Sequence, residues 1–160
     1  MATLTGGTQT FSGDTSVIDT TMRHPLGTRA KDTDGNEYIY ASGLDSTAAG
    51  TVVTLDEDLV TSLAVAGAVG RVGVAMAAIT TDEYGWYQIY GHVAKLVVIT
   101  DGDCAADVQL YLTATPGALD DVDVTGDTVI GCISRTAETV VASQVEAEIN
   151  YPFVCDAAID

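Results

Sequence analysis

At 160 residues, with 23 Asp and Glu against 6 Lys and Arg for a formal charge of -17, the chain suits one domain that buries roughly two thirds of its unfolded surface. That charge repels phosphate backbones and anionic bilayers, so nucleic acid and membranes are not expected partners, whereas cations and basic protein patches are compatible. Cys104, Cys132 and Cys155 are odd in number and lack metal-ligand spacing, so reduced thiols are expected, with no disulfide framework and no cysteine metal centre.

Residues 1–25 are rich in Thr, Gly and Ser, with only scattered Phe11, Val17, Ile18 and Met22 among the apolar types. This composition predicts an extended arm ahead of a domain over 26–160. No basic segment followed by an apolar run opens the chain, so an intracellular site of synthesis is expected. The clearest unit comes next. Residues 26–31 and 37–41 flank the turn-forming Thr33, Asp34, Gly35 and Asn36, which predicts a β-hairpin. Asp32, Asp34 and Asn36 also imitate the start of a calcium loop, but Glu37 stands where that loop needs glycine and Gly43 where it needs a bidentate Glu.

A strand is predicted over 50–55. Residues 56–67 are ambiguous: acidic residues at the start, Leu59, Val60, Leu63 and Ala64 at helical spacing, and Gly67 as a stop fit a short helix, and a loop followed by a strand fits equally well. The apolar run 59–79 is long enough to span a bilayer. Arg71 near its centre, at a cost of about 2.5–3.5 kcal/mol, and its Ala, Gly and Val composition argue against insertion.

Further strands are predicted over 71–79, 84–90, 92–100, 107–113, 128–134 and 139–149, separated mostly by Gly and Asp clusters. The strand 84–90 is unusual. Tyr84, Trp86, Gln88 and Tyr90 alternate with Gly85, Tyr87, Ile89 and Gly91, so neither face is polar and both need a cover. The arm or a neighbouring subunit would supply the second one. Short strands with little helix between them predict an all-β, single-domain antiparallel sandwich, jelly-roll-like, or a barrel.

No nucleotide, hydrolase or acid-protease motif is present, and His24 and His92 sit in no recognisable catalytic pattern, so an enzyme is not expected and no cofactor is called for. Asp101, Asp103 and Asp107, with Asp120, Asp121, Asp123 and Asp127, are read as turn residues rather than a metal site, although a cation fits the same pattern. The aromatic strand leaves a sugar-stacking platform on a sandwich face as a binding alternative.

The runs "HPLGTRAKDTDGNEYIYASG", "GRVGVAMAAITTDEYGWYQIYGHVAKLVV" and "GDTVIGCISRTAET" resemble the head decoration, or capsid cement, proteins of tailed bacteriophages. The resemblance extends from His24 to about Thr139 and rests on structural rather than catalytic motifs. It implies a β-rich, homotrimeric or alternatively homodimeric accessory protein, made in the host cytoplasm, that sits on the outer surface of the virion and clamps major capsid protein subunits together. Two other virion readings are the major shell protein itself, for which the chain is short and lacks the long helix and extended loop such folds use, and a tail or fibre component, which would more often show repeats or heptads, and neither is present. On this view Tyr84, Trp86 and Tyr90 are assigned to subunit packing and Tyr87 and Ile89 to the core. Phe11, Val17 and Ile18 are assigned to the arm, and Arg23 and Arg29 to polar contacts with the acidic partner or a neighbouring subunit.

Overall fold

The structure is a computed structural model and describes residues 13–99, 103–138 and 143–155. Phe11 lies outside the described residues, as do Asp101 and the start of the strand predicted over 139–149. Ten strands follow in chain order: β1 (Arg29–Lys31), β2 (Glu37–Gly43), β3 (Val52–Leu55), β4 (Val60–Leu63) and β5 (Gly70–Ala75). Then come β6 (Tyr84–Val97), β7 (Gln109–Leu112), β8 (Leu119–Asp120), β9 (Thr128–Ser134) and β10 (Gln144–Val154). Among the described residues there is no helix, and no helix is long and apolar enough to cross a membrane.

The fold is all-β and sandwich-like, a single ten-stranded sheet in the order β1-β2-β4-β3-β5-β6-β10-β9-β7-β8. It is mixed rather than purely antiparallel as expected, because β4 runs parallel to β2. The additional β2–β6 pairing closes β2, β4, β3, β5 and β6 into a ring of five strands. The remaining strands curl back towards the end of β6, where the N–H of Ile99 donates to the carbonyl of Leu119 at 2.9 Å.

Two apolar cores follow from this path. Ile39, Ala41, Val53, Leu55, Tyr87 and Ile89 fill the ring. The other faces of β3 and β5 pack with the far half of β6 and with β7 to β10 through Val52, Val74, Leu96, Leu110 and Ile149. Cys104 and Cys132 lie in this second core, where burial, and after it the neighbouring Cys104, push the Cys132 thiol up to about 12. A ring this narrow needs a residue without a side chain where strands and loops converge. At Gly85 a Cβ would come within 2.4 Å of Ile79 Cδ1, so only glycine leaves room for that buried isoleucine.

Two expectations are corrected and one open alternative is settled. Residues 56–67 are a loop followed by a strand: Asp56 Oδ1 accepts the N–H groups of Asp58 and Val60, which closes a tight turn before β4. The side chain competes with a helix for its own backbone donors. The strands predicted over 84–90 and 92–100 are one strand, β6, because Gly91, at φ 99°, stays paired in register with Ile149 of β10 instead of breaking the strand. The last strand does not stop at 149 but runs on to Val154.

Residues 14–28 form a strap across the outer face of β2 and β6. Asp19 and Tyr84 exchange two backbone hydrogen bonds of 2.9 Å, and the strap ends by pairing Gly27 and Thr28 with Tyr40. Beneath it Tyr38, Tyr40 and Trp86 are buried, with Leu26 and Tyr84 packed against them. Both faces of β6 are therefore covered from Trp86 to Ile89: Tyr87 and Ile89 by the ring interior, Trp86 by the strap.

Candidate functional site

The near half of β6 begins under the strap and ends in the open. Trp86 is 3 % exposed, with the His24 ring 5.4 Å away and Tyr40 edge-on at 5.2 Å. Tyr84 is half-buried and stacks on Tyr40 at 6.3 Å. The Tyr40 hydroxyl donates to Asp19 Oδ2 at 2.7 Å, and burial, then this carboxylate, push its pKa up to about 12. Arg23 Nε stands 2.9 Å from Asp19 Oδ1, close enough for an ion pair but not aligned as a hydrogen bond. Val17 and Ile18 lie on the strap with their side chains exposed. This arrangement leaves no sugar platform on Trp86, since Trp86 and Tyr87 face opposite ways and both are buried.

Tyr90, four residues further along β6, is exposed and packs its ring 5.2 Å from that of Tyr151. Tyr151 sits in a bulge of β10, between the paired positions Ile149–Cys132 and Phe153–Ile130. Its φ of 45° is uncommon for a residue of this size. The bulge interrupts the in-and-out alternation, so Asn150 and Tyr151 are exposed in succession and Phe153 follows outward. Tyr90, Tyr151 and Phe153 form an exposed aromatic ridge.

Polar contacts hold this ridge in place. The Tyr151 hydroxyl donates to Glu37 Oε2 at 2.7 Å, and Lys31 Nζ lies 3.2 Å from Glu37 Oε1. Glu37 is held below its ordinary value, first by the Tyr151 hydroxyl and then by Lys31 against the opposing effect of burial. Tyr151 is correspondingly raised, chiefly by that carboxylate. The Arg29 guanidinium sits 5.7 Å over the Tyr151 ring, a cation–π contact.

Cavities flank the ridge on two sides. One, of about 70 Å³, is lined by Arg29, Arg71, Tyr151 and Pro152 over a floor of Ile39, Leu55 and Ile89. The other, of about 260 Å³, is polar and lined by Tyr90, His92, Arg135, Glu148 and Asn150. Arg135 spans Asp107 at 3.0 Å and Glu148 at 2.6 Å. Four of the six cations in this acidic chain, Arg29, Lys31, Arg71 and Arg135, thus gather around one aromatic surface.

The remaining candidates divide plainly. Asp32 accepts the N–H groups of Asp34 and Asn36, the Asn36 amide and the Tyr38 hydroxyl, so the hairpin turn itself saturates the calcium-like sequence. Burial alone would raise Asp32, but these four hydrogen bonds outweigh it and hold the group low. Asp103, Asp120 and Asp121 place carboxylate oxygens within 4.8 Å of one another. Asp121 caps the N–H of Ala105 at 2.8 Å, the behaviour of a turn residue. His24 packs against aromatic rings, and His92 is exposed 3.9 Å from Glu146.

Sequence reasoning reached Arg29 and Tyr90 but missed Tyr151, Phe153 and Arg71 as one surface. The available signal was Pro152: a proline within an otherwise alternating strand marks a bulge or an edge. No protein-family model matches the sequence, and no curated protein matches it either.

Proposed function

We propose that this chain is a non-enzymatic bacteriophage virion protein, a decoration or cement protein that binds the outside of the capsid and stabilises it by bridging major capsid subunits. The single observation that supports this reading best is the exposed ridge of Tyr90, Tyr151 and Phe153 with Arg29 and Arg71 beside it. Exposed aromatics fixed by hydrogen bonds and flanked by arginine have the composition of an interface core. The sequence resemblance supplies the capsid as the partner, and homotrimerisation on the outer virion surface belongs to the same reading. Many weak contacts repeated over a lattice suffice for tight attachment. The -17 charge adds long-range attraction wherever the shell presents basic patches.

The test is to mix the purified protein with capsids stripped of their outer accessory proteins and to image them by electron cryomicroscopy. Saturable density at a symmetry position, with retention weakened by salt, is the expected result. Folded protein that leaves stripped shells bare overturns the reading.

The polar cavity beside Tyr90 favours a second reading, a carbohydrate-binding module, because ring stacking next to Arg135, Glu148 and Asn150 suits sugar hydroxyls. Saturable shifts of Tyr90 and Tyr151 ring resonances with an oligosaccharide panel, without capsid binding, would establish it instead.

A further inference from the structure

The five-stranded ring is not sealed at the end where β1 stops. β4 bridges β2 to β3 only at Ser42 and Gly43, and β1 lies at the end of the strand order with β2 as its one neighbour. The 70 Å³ cavity opens here, with the buried side chains of Ile39, Leu55 and Ile89 at its base. Arg29 stands on one lip, Arg71 on the other, and Tyr151 with Pro152 forms a third side.

We propose that this opening is a binding pocket for a peptide segment that sets one carboxylate beside an aliphatic side chain. The proposal rests on the reading that this face meets the protein's partner, and it names the local chemistry of that partner.

Three observations carry it. Among the described residues neither Arg29 nor Arg71 is in a salt bridge, although the chain has 23 acidic residues. The nearby acids are otherwise engaged: Glu37 with Lys31 and Tyr151, and the Asp56 carboxylate with two backbone N–H groups. Both guanidinium groups are exposed yet positioned, Arg71 by donating from Nη2 to the Asp56 carbonyl at 2.8 Å and Arg29 by its seat over Tyr151. Each keeps donors free in a planar fork, the geometry that suits a carboxylate.

The floor sets the other half of the specificity. A volume of about 70 Å³ is about half of a cavity that takes a benzene ring, so it fits a small aliphatic group rather than an aromatic one. The charge of the whole molecule narrows the choice again. At -17 the chain repels a strongly acidic ligand at long range, so the matching segment carries an isolated carboxylate in a neutral or basic context.

The experiment titrates isotope-labelled full-length protein with the capped peptide acetyl-Gly-Val-Asp-Gly-amide, followed by backbone amide and arginine side-chain resonances. Saturable shifts are expected at Leu55, Ile89 and Tyr151 and at the side chains of Arg29 and Arg71. Replacing Asp by Asn, or Val by Gly, in the peptide should weaken binding at least tenfold. The exposed double variant Arg29→Gln/Arg71→Gln should lose binding at least tenfold with the resonances of the second core, such as Leu110 and Ile149, unchanged, and Arg71→Lys should keep part of the binding. Equal binding of the Asp and Asn peptides, or no localised shift, overturns the proposal. Stripped capsids separate the two readings: shells that bind the double variant as well as the native protein sink the pocket and leave the decoration role standing. Peptide binding without shell binding does the reverse.

Discussion

The cluster under the strap and the ridge at the end of the ring are both built from aromatic residues of β6 and its neighbours, yet one is interior and the other surface. Trp86 and Tyr40 are covered because residues 14–28 lie over them, tied down by Asp19. Tyr90 and Tyr151 have no such cover and are instead fixed from the side by Glu37 and Arg29. The same residue types are therefore core where backbone passes over them and exposed surface where it does not. Tyrosine suits both positions, because its ring offers rigid apolar area and its hydroxyl finds a partner in either setting.

The largest effect should come from emptying the covered cluster. Trp86→Ala is expected to cost about 3–5 kcal/mol in urea unfolding, and a loss below about 1 kcal/mol would show that the strap cluster is not core. Removing the tie comes next. Asp19→Ala leaves the buried Tyr40 hydroxyl without its acceptor, for an expected loss of about 1–3 kcal/mol. The Trp86 fluorescence should shift to the red as the strap loosens; unchanged emission would mean that the strap holds without Asp19.

The ridge should respond in the opposite sense. Tyr151→Gly removes an exposed ring and relieves a positive φ, so stability should stay within about 1 kcal/mol of the parent. Capsid retention should nevertheless fall, and a variant that unfolds but still binds shells would reverse the roles given to the two regions.

The smallest effect is a pH dependence. Glu37 is held below its ordinary 4.5 in the folded protein, so its contribution is present above that value and fades as pH falls through the lower folded pKa. Tyr151 is held above its ordinary 10.0, so its contribution is present below that value and fades as pH rises through the higher folded pKa. The contact should therefore stabilise the ridge across the interval between and weaken at both ends. A Tyr151→Phe variant should flatten both shoulders; identical profiles would remove the contact from the account.

Much of the fold is legible in local chemistry. The hairpin around Asp32 follows from turn residues that bond their own backbone, and β9 occupies 128–134 as the sequence predicts. The parallel β2–β4 pair and the closed ring were not legible, because neither turn chemistry nor alternation says which distant strands meet. Gly91 misleads for a related reason. Its missing side chain admits Asn36, whose Oδ1 accepts the N–H of His92 at 2.9 Å, so a residue that reads as a strand end holds the middle of the longest strand. At the candidate site Arg29 and Tyr90 lie in segments read correctly as strands. Arg71 and Tyr151 join them only through long-range pairing, beyond the reach of any local pattern.

The fourteen residues of β6 have a consequence for how this protein can change over time. One half of the strand completes the ring and the other completes the second core, so neither half of the molecule owns its own boundary. A gene split or duplicated at Gly91 would give two fragments, each lacking one wall. New sequence is more easily accepted in the exposed stretch 122–125, and the two cores are expected to be inherited together and to melt together.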